Sequence, residues 1–129
     1  MRNVRYGFLA FAASLGACDL LNNGDVVCTG EERPGIEVTV QDSLTGTPAA
    51  SGTELIVQDG AYADTVSYPP NRPDLDAEPL RSAWERRGTY AVTVRKAGFS
   101  GWARSGIVVT ADECHVRTVA LIARLQRTP

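Results

Sequence analysis

Apolar and polar residues alternate with a period of two in several short stretches of this chain. Residues 36–40 place Ile36, Val38 and Val40 on one side and Glu37 and Thr39 on the other, the pattern of a strand with one wet face. Residues 89–95 repeat it, with Tyr90, Val92 and Val94 set against Ala91, Thr93 and Arg95. A strand beginning at residues 55–57 runs into Asp59-Gly60, a strong hairpin signal because glycine tolerates a positive φ. Its return strand, residues 61–68, puts Tyr62, Asp64, Val66 and Tyr68 on one side. Residues 80–85 fit one helical turn or a strand equally well, and Arg86-Arg87-Gly88 ends either. Ala97-Gly98 and Gly101 bracket a turn that displays Phe99 and Trp102, and a strand over 107–110 follows. The last stretch, residues 114–125, carries apolar residues on both parities. Either both faces are partly covered or a bulge switches the inward side midway.

No stretch sustains a helical period. Six or seven short strands at about 8–12-residue intervals, separated by Gly/Pro turns, predict an all-β protein: a small antiparallel β-sandwich of about seven strands. Between the return strand and residue 80 lies the longest loop, residues 69–79, with four prolines in eleven residues. Proline cannot donate to a ladder and resists a helix interior, so this segment is a surface loop and the first place to look for binding.

The first residues are of another kind. Arg2 and Arg5 precede an uncharged, mostly apolar run over residues 6–17, shorter than the roughly 20 residues a membrane span takes. The run ends in Leu15-Gly16-Ala17-Cys18, which resembles the lipobox of bacterial lipoproteins. The resemblance implies that residues 1–17 are a lipoprotein signal peptide and that Cys18 is lipidated. Residues 18–34 then form a tether and residues 35–126 the folded domain, lipid-anchored to a membrane of the bacterial cell envelope and facing the periplasm or exterior. A buried N-terminal helix fits the flanking arginines less well, and an ordinary secretory signal cleaved near Ala17 is the closer rival.

Charge and cysteines narrow the picture. Of thirteen basic residues, removal of Arg2 and Arg5 leaves eleven against fifteen acidic ones, a net charge near −4. Without a basic face to release counterions, nucleic acid is not an expected partner. With Cys18 lipidated, Cys28 and Cys114 form an even pair in an oxidising compartment, where a disulfide between them is expected. A Cys/His metal site fails on inventory, because the one histidine, His115, adjoins Cys114 and neighbouring strand residues point to opposite faces.

From Gly35 to Leu125 the chain resembles the transthyretin-like (prealbumin-like) sandwich of carboxypeptidase regulatory-like domains. The carrying residues are Ile36-Glu37-Val38-Thr39-Val40 with Asp42 and Thr45-Gly46-Thr47-Pro48, then Glu85-Arg86-Arg87-Gly88-Thr89-Tyr90 with Val92 and Val94, then Ala97-Gly98-Phe99, and finally Asp112-Glu113-Cys114-His115-Val116. The resemblance implies a fold and an accessory role; it implies no chemistry. The branch of that fold that hydrolyses a small heterocycle uses several histidines and a C-terminal Tyr-Arg-Gly-Ser, whereas this chain has one histidine and ends Leu-Gln-Arg-Thr-Pro.

Searching for chemistry yields little. His115 could serve only Ser100 or Ser105 as nucleophile, and no Gly-x-Ser-x-Gly elbow presents either. Asp74, Asp76 and Glu78 are paired carboxylates in a loop that reads as solvated. Histidine as a residue type changes charge near neutral pH, which makes His115 a candidate switch. The candidate binding surface is therefore Trp102 and Phe99 with Asp74 and Asp76; the bland alternative has Trp84 and Phe99 capping the core. The expectation is a non-enzymatic, membrane-tethered accessory or binding module with an envelope protein partner and no cofactor. The alternative is a carbohydrate- or peptidoglycan-binding module with an exposed aromatic platform.

Overall fold

Nine residues, Pro34–Asp42, form β1, the middle strand of one sheet. The structure, a computed structural model, describes residues 24–129; the signal-like stretch, Cys18 and the first part of the tether lie outside the described residues. After β1 come β2 (Thr53–Asp59), β3 (Tyr62–Ser67), β4 (Leu80–Trp84), β5 (Gly88–Lys96), β6 (Trp102–Val109) and β7 (Val119–Leu125). They make two sheets, one ordered β4-β1-β7 and the other β3-β2-β5-β6, so the expected seven-stranded sandwich is present. One pair departs from a fully antiparallel arrangement. β1 and β7 run parallel, Ile36 beside Val119 through Asp42 beside Leu125, because the last connection returns the chain to the end where β1 begins.

The alternation in the sequence explains the core. Ile36, Val38 and Val40 are fully buried on one sheet; Leu55, Val57, Tyr90, Val92 and Val94 meet them from the other, with Leu80, Ala123 and Leu125 completing the same cluster. Each such aliphatic side chain contributes about 1.5–3 kcal/mol on burial, which is what two short sheets need to stay together. On β3 the expected inward parity holds: Tyr62, Asp64 and Val66 are half-buried. Asp64 reaches across the sandwich to accept a 2.6 Å hydrogen bond from the fully buried Ser82 hydroxyl of β4.

Strand directions sort the connections into two ends. β1, β3, β5 and β7 run one way, while β2, β4 and β6 run back. Cys28 and the approach to β1, the β2–β3 turn, residues 85–87 and residues 110–118 therefore gather at one end, here the disulfide end. The connections 43–52, 68–79 and 97–101 and the C-terminus gather at the other, the loop end. A nine-residue strand separates the two by about 30 Å.

Several local expectations change. The hairpin turn is Gly60-Ala61 rather than Asp59-Gly60, since Asp59 pairs with Tyr62, and Gly60 takes a φ of 57°. Residues 80–84 are a strand: Leu80 and Arg81 pair with Val38 and Glu37, and that ladder decides between the two readings. β6 begins at Trp102, earlier than the expected 107. β7 begins at Val119; Val116 instead bridges to Ala111, so the inward parity switches between Val116 and Val119. That switch is why the apolar residues of this stretch fall on both parities.

Candidate functional site

At the disulfide end, Cys28 and Cys114 are joined, 86 residues apart in sequence. The bridge holds the approach to β1 against the connection before β7, as the parallel β1–β7 pairing requires. The turn from Asp112 to His115 is built by its own carboxylate: Asp112 Oδ1 accepts from the amides of Cys114 (2.8 Å) and His115 (2.9 Å). Those two amides, outweighing the cost of partial burial, hold the Asp112 carboxyl below its usual range.

Glu85 lies opposite, just after β4, where Ala83 and Glu85 both take positive φ values of 54° and 48°. This is a costly backbone for residues with a Cβ, and it persists because the surroundings fix it. It aims the carboxylate at three donors. Oε1 accepts from the Arg33 amide at 2.8 Å and lies 2.7 Å from His115 Nδ1; Oε2 accepts from the Val116 amide at 3.1 Å. The Glu85 amide in turn donates to Arg33 O. Partial burial opposes the charge on Glu85, but the hydrogen bonds from His115, Arg33 and Val116 prevail and lower its pKa. On the far side of the imidazole, Nε2 lies 3.0 Å from Thr29 Oγ1. A neutral ring giving its Nδ1 proton to Glu85 accepts the Thr29 hydroxyl proton at Nε2. His115 itself is 9% exposed.

A cleft of about 320 Å³ opens over this group, lined by Thr29, Glu85, Arg87, Asp112, Glu113 and His115 among others. The order Glu85–His115–Thr29 is that of a carboxylate–imidazole–hydroxyl relay. The same bonds also tie three separated chain segments together: residues 29–33, the end of β4, and residues 112–116. Among the described residues no three side chains form a metal-ligating group. Sequence reasoning singled out His115 and Cys114 but missed Glu85 and Thr29; the only signal was Glu85 at the head of the Glu85-Arg86-Arg87-Gly88 segment.

Beside the cluster, Arg86 bonds Asp59 Oδ2 and the Tyr90 hydroxyl, each at 3.0 Å, and lies 3.9 Å above the Tyr62 ring. The Tyr90 hydroxyl donates to Arg86 O at 2.6 Å. These contacts close the disulfide end of the larger sheet.

The four residues expected to form a binding surface all lie at the loop end but do not converge. Trp102 is 8% exposed and belongs to the core, with the Arg104 guanidinium 4.7 Å above its ring. Phe99 is half-buried with Lys96 Nζ 5.5 Å from its centroid. The exposed indole is Trp84, at 47%, on β4 next to the disulfide end, so the roles expected of the two tryptophans are exchanged. The cause is register: Trp102 pairs with the inward-facing Val94. Asp74 is held by Arg72 in a two-point contact of 2.9 and 2.7 Å. Asp76 Oδ1 accepts from the Ser51 amide at 2.9 Å and its carbonyl from Ala50. Both carboxylates thus shape the proline-rich loop, which contains a 3₁₀ turn over Pro73–Leu75.

No protein-family model matches the chain, and no curated protein is significantly similar to it.

Proposed function

We propose that this chain is a non-enzymatic, membrane-tethered binding module of the bacterial cell envelope, a transthyretin-like sandwich lipid-anchored at Cys18 that presents its loop end to an envelope partner. One observation carries the reading. The N-terminal approach is fastened by Cys28–Cys114 at one end, while the two longest connections, 43–52 and 68–79, gather with residues 97–101 and the C-terminus about 30 Å away at the other. A chain held at its N-terminus in this way turns the disulfide end toward the anchor and the loop end outward. The Glu85–His115–Thr29 cluster then acts as the clamp that keeps tether and domain in fixed relation.

In-situ cross-linking of the tagged, lipidated protein, with Cys18→Ser as control, tests this. A discrete protein partner that vanishes in the control supports it. A Cys18→Ser variant that still fractionates with membranes after a salt wash removes the anchor from the reading.

A hydrolytic role is favoured by one observation, the relay order of Glu85, His115 and Thr29 beneath an open cleft. Esterase turnover by the purified chain that disappears in Thr29→Val would establish it in place of the clamp.

A further inference from the structure

The geometry points to an anionic glycan, a saccharide bearing carboxylate or phosphate, as the ligand of a groove between β6 and β7 at the loop end. This deepens the reading of the loop end as the presenting end, and rests on it. The groove has a volume of about 500 Å³ and runs between the start of β6 and the end of β7, where each sheet leaves an edge strand. Arg104 and Arg124 both line it, together with Ser100, Gln126, Trp102 and Ile122.

Among the described residues neither arginine forms an ion pair, whereas Arg33, Arg72, Arg81, Arg86 and Arg127 each hold a carboxylate. An acidic chain that leaves two guanidinium groups uncommitted in one concavity has a local field opposite to its net charge. Arg104 is also preorganised. It stacks on the Trp102 ring, and its Nη1 donates to Ala103 O at 2.8 Å, which fixes the plane of the fork before anything binds. A planar guanidinium fork suits two-point contact with carboxylate or phosphate.

The floor of the groove is fixed as well. Ser100 N donates to Gln126 O, Thr128 N to Gly98 O, and Phe99 bridges Arg127, whose guanidinium holds the buried Asp42. The neutral polar liners, the Ser100 hydroxyl and the Gln126 amide, match sugar hydroxyls. Ile122 is the one exposed large apolar side chain in the lining, so the groove offers the apolar side chains of a peptide little to pack against. Recognition is by charge and not by an aromatic platform, because Arg104 covers the indole that a platform would need. A second concavity of about 540 Å³ meets this one at Gly101 and carries Arg95 and Lys96, but also Glu54 opposite Arg95, so the anionic group belongs beside Arg104 and Arg124.

The test uses the full lipidated chain in neutral detergent micelles. Galacturonate oligomers, neutral cello-oligosaccharides of equal length and a poly-glutamate peptide are titrated while the Trp102 indole N–H resonance is followed. Saturable shifts with the galacturonate oligomers alone, weakened about tenfold or more in Arg104→Gln/Arg124→Gln as loss of charge-assisted hydrogen bonds requires, are expected. Arg117→Gln, at the disulfide end, leaves the affinity unchanged. An equal or tighter response to poly-glutamate overturns the assignment to a glycan, and so does no saturable shift or an unchanged affinity in the double variant. A protein partner recovered by cross-linking in either of those cases leaves the tethered-module reading intact.

Discussion

Glu85 and His115, thirty residues apart in sequence, meet at 2.7 Å where the approach to β1, the end of β4 and the turn before β7 come together. Glu85→Ala leaves the amides of Arg33 and Val116 without their acceptor and frees the imidazole. The expected outcome is a lower melting temperature with the disulfide intact, together with faster amide exchange at Arg33 and Val116 than at core residues such as Val92, read by hydrogen exchange.

Acid should unfold this protein through three carboxylates. The Arg127 side-chain hydrogen bond holds the Asp42 carboxyl below its ordinary value of 3.8. Amides hold Asp112 below the same value, and the His115, Arg33 and Val116 bonds, against burial, hold Glu85 below 4.5. A depressed folded-state pKa gives stability that is complete above the unfolded value and lost as pH falls through the folded one. Urea unfolding between pH 7 and pH 2 should therefore show a plateau above about pH 5 and a decline below about pH 4. In Asp42→Asn the decline should be shallower, because one linked proton has been removed.

Reduction of Cys28–Cys114 opens a loop of 86 residues. The chain-entropy model assigns such a closure about 4.6 kcal/mol, and measured values often fall lower. Cys28→Ser/Cys114→Ser should fold, with a free energy of unfolding smaller by about 2–4 kcal/mol in denaturant titration. Equal stability with and without reductant would mean that the Glu85 cluster alone suffices to hold the two segments.

Trp102 and Trp84 should respond in opposite ways. Trp102→Ala removes a core ring and is expected to destabilise by about 3–5 kcal/mol, whereas Trp84→Ala, at a site 47% exposed, should cost far less. In the native protein acrylamide should quench the Trp84 emission preferentially, measured on the single-tryptophan variants Trp84→Phe and Trp102→Phe.

Gly88 lies against the Asp59 carboxylate, with Arg86 Nη1 and the Tyr90 ring next nearest. A methyl group there would strike the carboxylate that holds Arg86. Gly88→Ala is expected to cost about 1–3 kcal/mol, the usual range for overpacking, and to disturb the stack of Arg86 on Tyr62, visible as a change in near-ultraviolet circular dichroism.

The strands were legible where one face is wet. At Ile36, Val38 and Val40, and again at Tyr90, Val92 and Val94, period-two alternation named the buried side correctly, because burial alone sets that pattern. The disulfide was legible from cysteine inventory. The clamp was not: Glu85 reads as an ordinary surface glutamate, and only a left-handed backbone together with pairing between distant segments brings it to His115 and Val116. Trp102 misled because its burial depends on pairing with Val94, a register that a turn-rich stretch does not announce. The parity change before β7 was visible as an ambiguity and needed the Val116–Ala111 bridge to resolve it.

The parallel pairing of β1 with β7 also sets a timetable. The smaller sheet has its first strand in the centre and its last strand at an edge, so Ile36 waits for Val119 before its second neighbour exists. Long-range pairing of this kind is slow to form, and a chain emerging from its N-terminus has no complete sandwich until Val119–Leu125 are free. Pairing within the larger sheet, which uses only β2, β3, β5 and β6, can precede that step, whereas the smaller sheet is completed only when β7 arrives. A chain shortened before Val119 would lack the strand that completes the three-stranded sheet, with β1 left as an open edge.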